Sequence, residues 1–473
     1  MSLLATKPLN QILEDADQGN ALKRSLGASQ LVALGIGAII GAGIFSLTGI
    51  AAANYAGPAI AYSFVLAALA CTFAGFCYSE FSTTIPIAGS AYTYAYASLG
   101  EIVAWIIGWA LVLEYAVGAA TVSVSWTATV DSILQSFGVH LPASLIHSPF
   151  DPAPGVMNLP ALGIVVAISL ILILGMRESA RFNALIVIVK VSVVIVFIAV
   201  GYFFINYRNY HPFLPPNTGT FGSFGWSGVF RGAGQIFFAY IGFDAVSTAA
   251  QETRNPRRDM PTGILGSLAI CTVLYILYGF VLTGLVNYRR LNVAAPLALA
   301  VDQIRGYPWM GFVLKVGSLM GLTSVMLVML LGQSRVFFSM SNDGLLPKLF
   351  ASVHPKFRTP WKSNLLLMIY TGIPAAFMPI AQLGSLTNIG TLFAFVVVCI
   401  GIIVMRKTHP DAHRPFRVPL VPLFPILGVI VNLALMASLT AFTWTAFLIW
   451  MIVGLGVYFG YSRRHSVVQA TQK

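Results

Sequence analysis

Long apolar stretches separated by short polar segments are the dominant pattern along the chain. Each stretch has close to the roughly 20 residues that a helix needs to cross a bilayer. The pattern predicts an all-α integral membrane protein with twelve membrane-spanning helices, at residues 31–55, 58–84, 101–131, 160–176, 182–206, 225–252, 262–288, 312–340, 362–381, 385–405, 419–442 and 444–462. Residues 1–30 form a tail before these helices, and residues 463–473 form a tail after them.

The first stretch is apolar but has glycine at positions 35, 37, 41 and 43. Glycine lowers helix propensity by up to ~1 kcal/mol per residue, and irregular backbone inside a membrane is tolerated only where it lines a cavity or is buried in protein. We therefore predict a helix broken at Gly41 to Gly43. The free N–H groups of the following half-helix, at the positive end of its dipole, would hold a carboxylate. The alternative is that Gly37 and Gly41 only allow close helix packing.

The sixth stretch repeats this feature, because GAGQIFFAYIGFD at residues 232–244 also interrupts a membrane-length segment with glycine. Two interrupted segments in corresponding positions are typical of a transporter site built from an inverted repeat. Residues 31–206 and 225–405 would form two halves of five helices each, and residues 419–462 would add two C-terminal helices. Since five is odd, the two halves would cross the membrane in opposite directions.

Composition agrees with this class, since hydrophobic residues make up 57% of the chain, charged residues 9%, and the mean hydropathy is +0.82. Soluble globular proteins lie far outside this range. The first 30 residues contain no apolar core with a cleavage site, so we expect no cleaved signal peptide. The cysteines all lie in apolar stretches and are expected to be buried hydrophobes, with no metal or other cofactor indicated. They are Cys71, Cys77, Cys271 and Cys399.

The net charge of +12 follows from the predicted topology. Lys and Arg concentrate on the cytoplasmic side of membrane proteins, and with the N-terminus inside, 20 of the 27 Lys and Arg residues lie on that side. We therefore predict a multi-pass protein of the cytoplasmic membrane with both termini in the cytoplasm, and no nucleic-acid partner. The tyrosine-rich segment 86–100, between the second and third helices, is expected along the cytoplasmic surface with its tyrosines at the membrane interface.

Three motifs resemble one family: GIGAIIGAGIF in the first helix, FFAYIGFDAVSTAAQETRNPRRDMPTGI after the second break, and GQSRVFFSMSNDGLLP after the eighth helix. The chain resembles the cationic amino acid transporter group of the amino acid, polyamine and organocation superfamily. That resemblance implies the twelve-helix LeuT-type fold, with two inverted repeats of five helices. It also implies that the substrate carboxylate binds the amides of Ala42, Gly43 and Ile44, while Phe238 closes over the substrate. The ammonium would meet carbonyls near Ile39, Ile40, Phe238, Ala239 and Ile241.

Lys190 is the most informative ionisable residue, because it lies in the middle of ALIVIVKVSVVIVFI. A charged residue in a membrane span costs at least ~2.5 kcal/mol and is usually kept for function or pairing. In proton-coupled proteins that this chain resembles, a lysine on the fifth helix places its ammonium where related proteins hold Na⁺. Its expected neighbours are carbonyls near Gly37 and the hydroxyl of Thr323 or Ser324. The alternative is a structural ion pair without proton transfer.

Four acidic residues complete the set of candidates. Glu114, in the third helix, would pair with Lys190 or form a separate proton site. Asp244 follows the second break and would cap the next half-helix or contact solute. Glu80 and Glu252 are assigned, with Arg254, to a charge network at the inner gate.

The sequence favours a transporter that imports amino acids by alternating access with protons as the coupling ion. An exchanger or facilitator would use the same site without net proton movement, and an amino acid sensor would keep only binding. A membrane enzyme is disfavoured, because no nucleophile with a base, metal cluster or phosphate loop is visible. The expected partners are an amino acid, protons and the lipid bilayer. The sequence leaves open the identity of the amino acid and the oligomeric state.

Overall fold

The computed structural model describes residues 4–8, 26–86, 90–151, 153–175, 180–304 and 308–471. Within these ranges the chain is helical, and the one β-type pairing is a bridge between Leu26 and Thr253. The main helices are α1 (Ala28–Ile39), α2 (43–56), α3 (Ile60–Thr84), α4 (Ser90–Ser98), α5 (Glu101–Gln135), α6 (Leu159–Ile173), α7 (Ala180–Gly201), α8 (Gly225–Ile236), α9 (Pro256–Leu285), α10 (Pro308–Asn342), α11 (Trp361–Phe377), α12 (Ile380–Thr408), α13 (Leu423–Ser438) and α14 (Ala441–Val457).

Seven helical stretches of the described chain are long and apolar enough to cross a membrane. They are Gly43–Thr84, Glu101–Gln135, Ala184–Phe204, Pro256–Leu285, Trp309–Asn342, Ile380–Thr408 and Ala441–His465. The stretch Gly43–Thr84 combines parts of two predicted spans, α2 and α3, which meet at the positive φ (62°) of Gly57. The helices α1, α6 and α13 are apolar but shorter. Twelve spans and the inverted repeat therefore remain predictions.

The two predicted interruptions lie between α1 and α2 and after α8. Around them, α1 packs on α9 and α7, α10 packs on α5, and α8 packs on α3 and α12. Glycines permit these close contacts: a Cβ added at Gly37 would lie 2.4 Å from Val187 Cγ2, and one at Gly35 would lie 2.4 Å from Ser267 Oγ. The interrupted segments therefore run through the middle of the helix bundle.

The tyrosine-rich segment before α5 is a helix, α4, whose tyrosines are buried inside the protein. The prediction that they lie at a membrane interface is wrong. Tyr94 stacks on Phe81 with ring centroids 4.9 Å apart, and the Tyr92 hydroxyl donates to the Asp343 carboxylate at 2.8 Å. Tyr92 and Tyr96 have buried acceptors for their hydroxyl hydrogens, the carboxylates of Asp343 and Glu101, which an isolated reading of the segment does not reveal.

Glu80, near the end of α3, is buried and accepts hydrogen bonds from two other elements. Arg406 donates Nε to Oε1 at 2.9 Å and Nη2 to Oε2 at 2.5 Å, and the amide of Val418 donates to Oε2 at 2.7 Å. Arg414 Nε lies 3.5 Å from Glu80 Oε1. Glu80 therefore joins α3 to the connection between α12 and α13.

A second buried carboxylate, Glu101, holds the C-terminal segment against the start of α5. Tyr458 and Gln469 donate to Oε1 at 2.9 and 2.8 Å, while Tyr96 (3.0 Å) and Ser466 donate to Oε2. Burial, followed by the neighbouring carboxylate of Glu101, raises the pKa of the Tyr96 phenol, which therefore stays protonated and donates.

The N-terminal residues reach the same region, because the amide of Glu101 donates to the Ala5 carbonyl at 3.0 Å. Lys7 Nζ lies 3.3 Å from Asp343 Oδ1, and the amide of Val467 donates to the Asp343 carbonyl at 3.1 Å. We call the surface formed by residues 4–8, the end of α10 and residues 462–471 the terminal face. Both described ends of the chain, residues 4–8 and 462–471, contact the start of α5 and the end of α10 there.

Replacing Glu101 by Ala is expected to lower the melting temperature of the detergent-solubilised protein by about 5–10 °C, because four buried donors lose their acceptor at about 1–3 kcal/mol each. Asp411→Ala, at an exposed aspartate, is the control and should leave the temperature unchanged. The measurement is thermal unfolding followed by fluorescence-detected size-exclusion chromatography. Equal melting temperatures for the two variants would contradict the structural role given to Glu101.

Candidate functional site

The first break, residues 40–42, separates α1 from α2. Ile40 takes extended backbone angles, φ −71° and ψ 108°, and α2 starts as a π-helix over Gly43–Leu47. The first amides of a helix have no acceptor within that helix. Among the described residues no other acceptor is found for the amides of Ala42, Gly43 and Ile44. The break therefore presents free N–H groups at a helix start, the arrangement that binds anions.

The second break, residues 237–243, follows α8. The helix tightens into a 3-10 segment over Phe237–Tyr240, and Gly242 then takes a positive φ of 114°. A side chain at Gly242 would be strained, and its Cβ would also lie 2.7 Å from the Ala38 carbonyl oxygen. Beyond the break the chain forms a 3-10 helix, Asp244–Glu252, where the sequence predicted a continued span.

The two breaks touch. A Cβ added at Gly43 would lie 2.2 Å from Ala239 Cα and 2.5 Å from its nitrogen, so the two backbones are in direct contact. The predicted substrate-binding residues of both segments are therefore brought together, and the structure buries all of them: Ile39, Ile40, Ala42, Gly43, Ile44, Phe238, Ala239 and Ile241. Their contact with a substrate stays a prediction.

Some carbonyls assigned to the ammonium already accept one hydrogen bond. The Tyr275 hydroxyl donates to the Ile39 carbonyl at 3.1 Å, and the Ile241 amide donates to the Phe238 carbonyl at 3.2 Å. A carbonyl oxygen has two lone pairs, so each keeps capacity for a second donor. Tyr275 was missed in the sequence, where the only signal was a hydroxyl within an apolar span.

Lys190 is completely buried on α7, and its Nζ donates to the Gly37 carbonyl of α1 at 2.7 Å. The predicted contact with a carbonyl near Gly37 is confirmed. Its stem packs on α10, because a Cβ added at Gly321 would lie 3.0 Å from Lys190 Cγ. The Thr323 hydroxyl donates to the Leu319 carbonyl and accepts from Trp126 Nε1 at 3.1 Å. The role of Lys190 in proton coupling stays a prediction.

Glu114 and Asp244 are both buried. The Asp244 carboxylate and the Thr391 hydroxyl lie close enough to Glu114 to interact with its carboxyl group. The Tyr115 hydroxyl donates to Asp244 Oδ2 at 3.2 Å. Within the described chain, Glu114 Oε1 and Asp244 Oδ1 accept no hydrogen bond. Glu114 and Tyr115 lie in a π-helical turn of α5, Leu113–Val117, a distortion that is frequent at functional sites.

A cavity of about 110 Å³ is lined in part by the residues that follow these two acids in the chain. Its lining includes Tyr115, Ala245 and Arg335, together with Ser90 and Tyr92 of α4. Since Tyr92 also contacts Asp343 on the terminal face, the cavity lies between the second break and that face.

The predicted gate residues occupy three separate places. Phe238 is buried at the second break. Glu80 contacts Arg406 rather than Arg254, so its contacts indicate a brace between helices. The backbone of Glu252 accepts from the Leu26 amide at 2.9 Å, beside the bridge between Leu26 and Thr253. The assignment of Phe238, Glu80 and Glu252 to a gate stays a prediction.

On the side of the first break away from the terminal face, α2 contacts two neighbouring elements. Ser46 of α2 hydrogen-bonds to Ser125 of α5 and donates to the Ala294 carbonyl at 2.6 Å. A Cβ added at Gly49 would lie 2.5 Å from Pro296, which begins a short helix after α9. These contacts join α2, α5 and the segment that follows α9.

Comparison with known proteins gives consistent results. Residues 26–458 match the family model described as amino acid permease. The chain is 46% identical to the methylthioribose transporter of Bacillus subtilis (strain 168), over 99% of each chain. It is 44% identical to the branched-chain amino acid permease BcaP of the same organism, over 98% of each chain.

A more distant relative supports the resemblance noted in the sequence. The chain is 36% identical to the vacuolar cationic amino acid transporter 4 of Arabidopsis thaliana, over 87% of this chain and 68% of that protein. The match to the family model covers nearly the whole chain, including both breaks. The chain therefore belongs to the amino acid permease family of the amino acid, polyamine and organocation superfamily, and is a multi-pass membrane permease rather than an enzyme.

Proposed function

We propose that this permease imports amino acids across the cell membrane by alternating access, with protons as the coupling ion. The observation that carries the proposal is the contact between Gly43 and Ala239, which places the free amides of α2 beside the carbonyls of the second break. An amino acid has one carboxylate and one ammonium a short distance apart. Opposed helix ends offer matching partial charges without a buried side-chain charge.

In this proposal the amides of Ala42, Gly43 and Ile44 hold the carboxylate. The ammonium binds carbonyls of Ile40, Ala239 and Ile241, with second lone pairs available at Ile39 and Phe238. The Phe238 ring covers the bound substrate. Relatives named as branched-chain and cationic amino acid transporters support an amino acid as cargo and differ in the side chain that they accept.

We further propose that the terminal face is cytoplasmic and that the twelve predicted spans form a LeuT-type fold of two inverted repeats. The distribution of Lys and Arg supports this orientation. The bridge between Leu26 and Thr253 and the hydrogen bond between the Leu26 amide and the Glu252 carbonyl join the start of α1 to the segment after the second break. Opening toward the cytoplasm would separate Leu26 from Glu252 and Thr253, and Glu80 would keep α3 and α12 together.

A second candidate cargo comes from the relative named as a methylthioribose transporter, which is as similar to this chain as BcaP is. Methylthioribose is a sugar with hydroxyl groups and a thioether, and it has neither a carboxylate nor an ammonium. At the same site its hydroxyl groups would have to bond both the amides of α2 and the carbonyls of the second break. The two cargoes therefore differ in charge, because an amino acid is a zwitterion and methylthioribose is neutral.

Uptake by proteoliposomes of purified protein tests the cargo. We expect uptake of at least one of leucine, isoleucine, valine, lysine and arginine. The amide of that amino acid and its decarboxylated amine should compete at least about thirtyfold more weakly, because the charged hydrogen bonds to the carboxylate are lost. Uptake of labelled methylthioribose, with none of the amino acids, would replace the first proposal by the second candidate. Equal competition by the amino acid and its amide would overturn the carboxylate site.

Gly43→Ala is expected to reduce uptake at least about a hundredfold, because the added methyl group cannot fit against the Ala239 backbone. Gly163→Ala in α6 is the matched control, since an added Cβ there meets no described atom within 4 Å. Both variants are measured as initial uptake rate per inserted protein. Wild-type uptake by Gly43→Ala would show that the breaks need not touch for function.

Lys190 is expected to carry the coupling proton, so uptake should be independent of Na⁺ and should rise as the external pH falls. Lys190→Ala should insert into the membrane but lose concentrative uptake. Lys190→Arg should fail as well, because guanidinium keeps its proton at every accessible pH.

The measurement is accumulation in proteoliposomes with an imposed pH gradient, with and without a Na⁺ gradient. Counterflow exchange at equal pH on both sides separates loss of coupling from loss of binding. Wild-type accumulation that requires Na⁺, or pH-driven accumulation by Lys190→Arg equal to wild type, would leave Lys190 with a structural role and make Glu114 the next residue to test.

A further inference from the structure

The carbonyl end of α8 is held by a side chain from another helix. Asn388 of α12 donates its Nδ2 hydrogens to the carbonyls of Gly234 and Gln235, at 2.9 and 2.8 Å. The last carbonyls of a helix lack partners within the helix, and here they lie at the start of the second break. Asn388 is completely buried, so in the described structure these bonds are shielded from solvent.

The same face of α12 also hydrogen-bonds to the side chain of Gln235. The Ser385 hydroxyl donates to Gln235 Oε1 at 2.6 Å, and Gln235 Nε2 donates to the Ala381 carbonyl at 3.1 Å. Positions 381, 385 and 388 are four and three residues apart, so they lie on one face of the helix. Three residues of α12 therefore fix both the backbone and a side chain at the end of α8.

The first half-helix is in contact with this arrangement too. A Cβ added at Gly384 of α12 would lie 2.8 Å from Leu47 Cδ1 of α2 and 3.6 Å from Gln235 Nε2. The end of α8, the start of α2 and one face of α12 thus meet at Gly384. The spacing between Gly43 and Ala239 depends on this meeting point, since Ala239 is only a few residues beyond Gln235.

We propose that Asn388 is a positioning residue for the ammonium end of the substrate site. It takes the carbonyls of Gly234 and Gln235, which leaves the later carbonyls of the second break as acceptors, and it fixes the segment 237–240 in register with Gly43. The inference rests on the proposed amino acid transport and adds a residue that does not itself contact the substrate.

The test compares Asn388→Asp with Asn432→Asp. Asn432 is a matched control, because it is also completely buried and donates Nδ2 to two helix carbonyls, those of Gly428 and Ala70, but in α13 and α3. Both substitutions replace an amide donor by a carboxyl oxygen and keep the side-chain size. A merely structural role would therefore affect the two variants alike.

We expect Asn388→Asp to raise the KM for the transported amino acid by about tenfold, with a smaller change in the maximal rate per inserted protein, because an interaction at a binding group is disturbed. Asn432→Asp should keep the wild-type KM. Competition by the 2-hydroxy acid of the same carbon skeleton, which lacks the ammonium, should be unchanged in Asn388→Asp. Asn388→Gln, which keeps the amide hydrogens, should show a smaller rise in KM.

The outcomes separate the two hypotheses. If wild-type protein transports an amino acid and Asn388→Asp resembles Asn432→Asp, the positioning role is overturned and the transport function stands. An equal loss of affinity for the amino acid and the 2-hydroxy acid also overturns it. If wild-type protein transports no amino acid, the proposed function fails and the inference fails with it. Should Asn388→Asp not insert, a wild-type KM for Asn388→Leu, which has no donor, overturns the inference, and a tenfold rise limited to the amino acid supports it.

Discussion

The structure depends on how unpaired backbone groups are accommodated inside an apolar bundle. Two interrupted helices leave buried amides and carbonyls without partners in their own helix, and each unsatisfied group there is costly. The two breaks cover each other where Gly43 meets Ala239, and neighbouring side chains take part of the remaining carbonyls. The Tyr275 hydroxyl donates to the Ile39 carbonyl, and the Asn388 amide donates to the Gly234 carbonyl at the end of α8. The amides that remain unpaired at the start of α2 are those assigned to the substrate carboxylate in the proposed function.

Buried charged side chains also need polar partners, and they find them in different ways. Glu80 and Glu101 are each surrounded by donors, so they hold distant segments together. Lys190 contacts a backbone carbonyl that belongs to the interrupted helix α1. The acids Glu114 and Asp244 differ, because one oxygen of each lacks a donor in the described chain. Incompletely paired acids can change protonation at lower structural cost than acids that hold the fold together.

Features that depend on local composition could be predicted from the sequence. Glycines at 41 and 43 indicated the first break, and a single lysine in an apolar helix indicated a contact near Gly37. Features that depend on pairing between distant segments could not. Glu80 was assigned to a charge network at the inner gate, but its partner Arg406, 326 residues further along the chain, was not identified. The burial of the α4 tyrosines and the role of Asn388 likewise depend on residues that no local pattern identifies.

The position of Glu101 has a consequence for the biogenesis of the protein. Its carboxylate is synthesised together with the start of α5, whereas Ser466 and Gln469, two of its donors, follow more than three hundred residues later. During translation this buried acid stays incompletely paired while more than three hundred residues follow, as the sequence separation of 368 between Glu101 and Gln469 shows. The fold on the terminal face is completed only once Ser466 and Gln469 have been made, so their loss would create a defect at the start of α5, far away in the sequence.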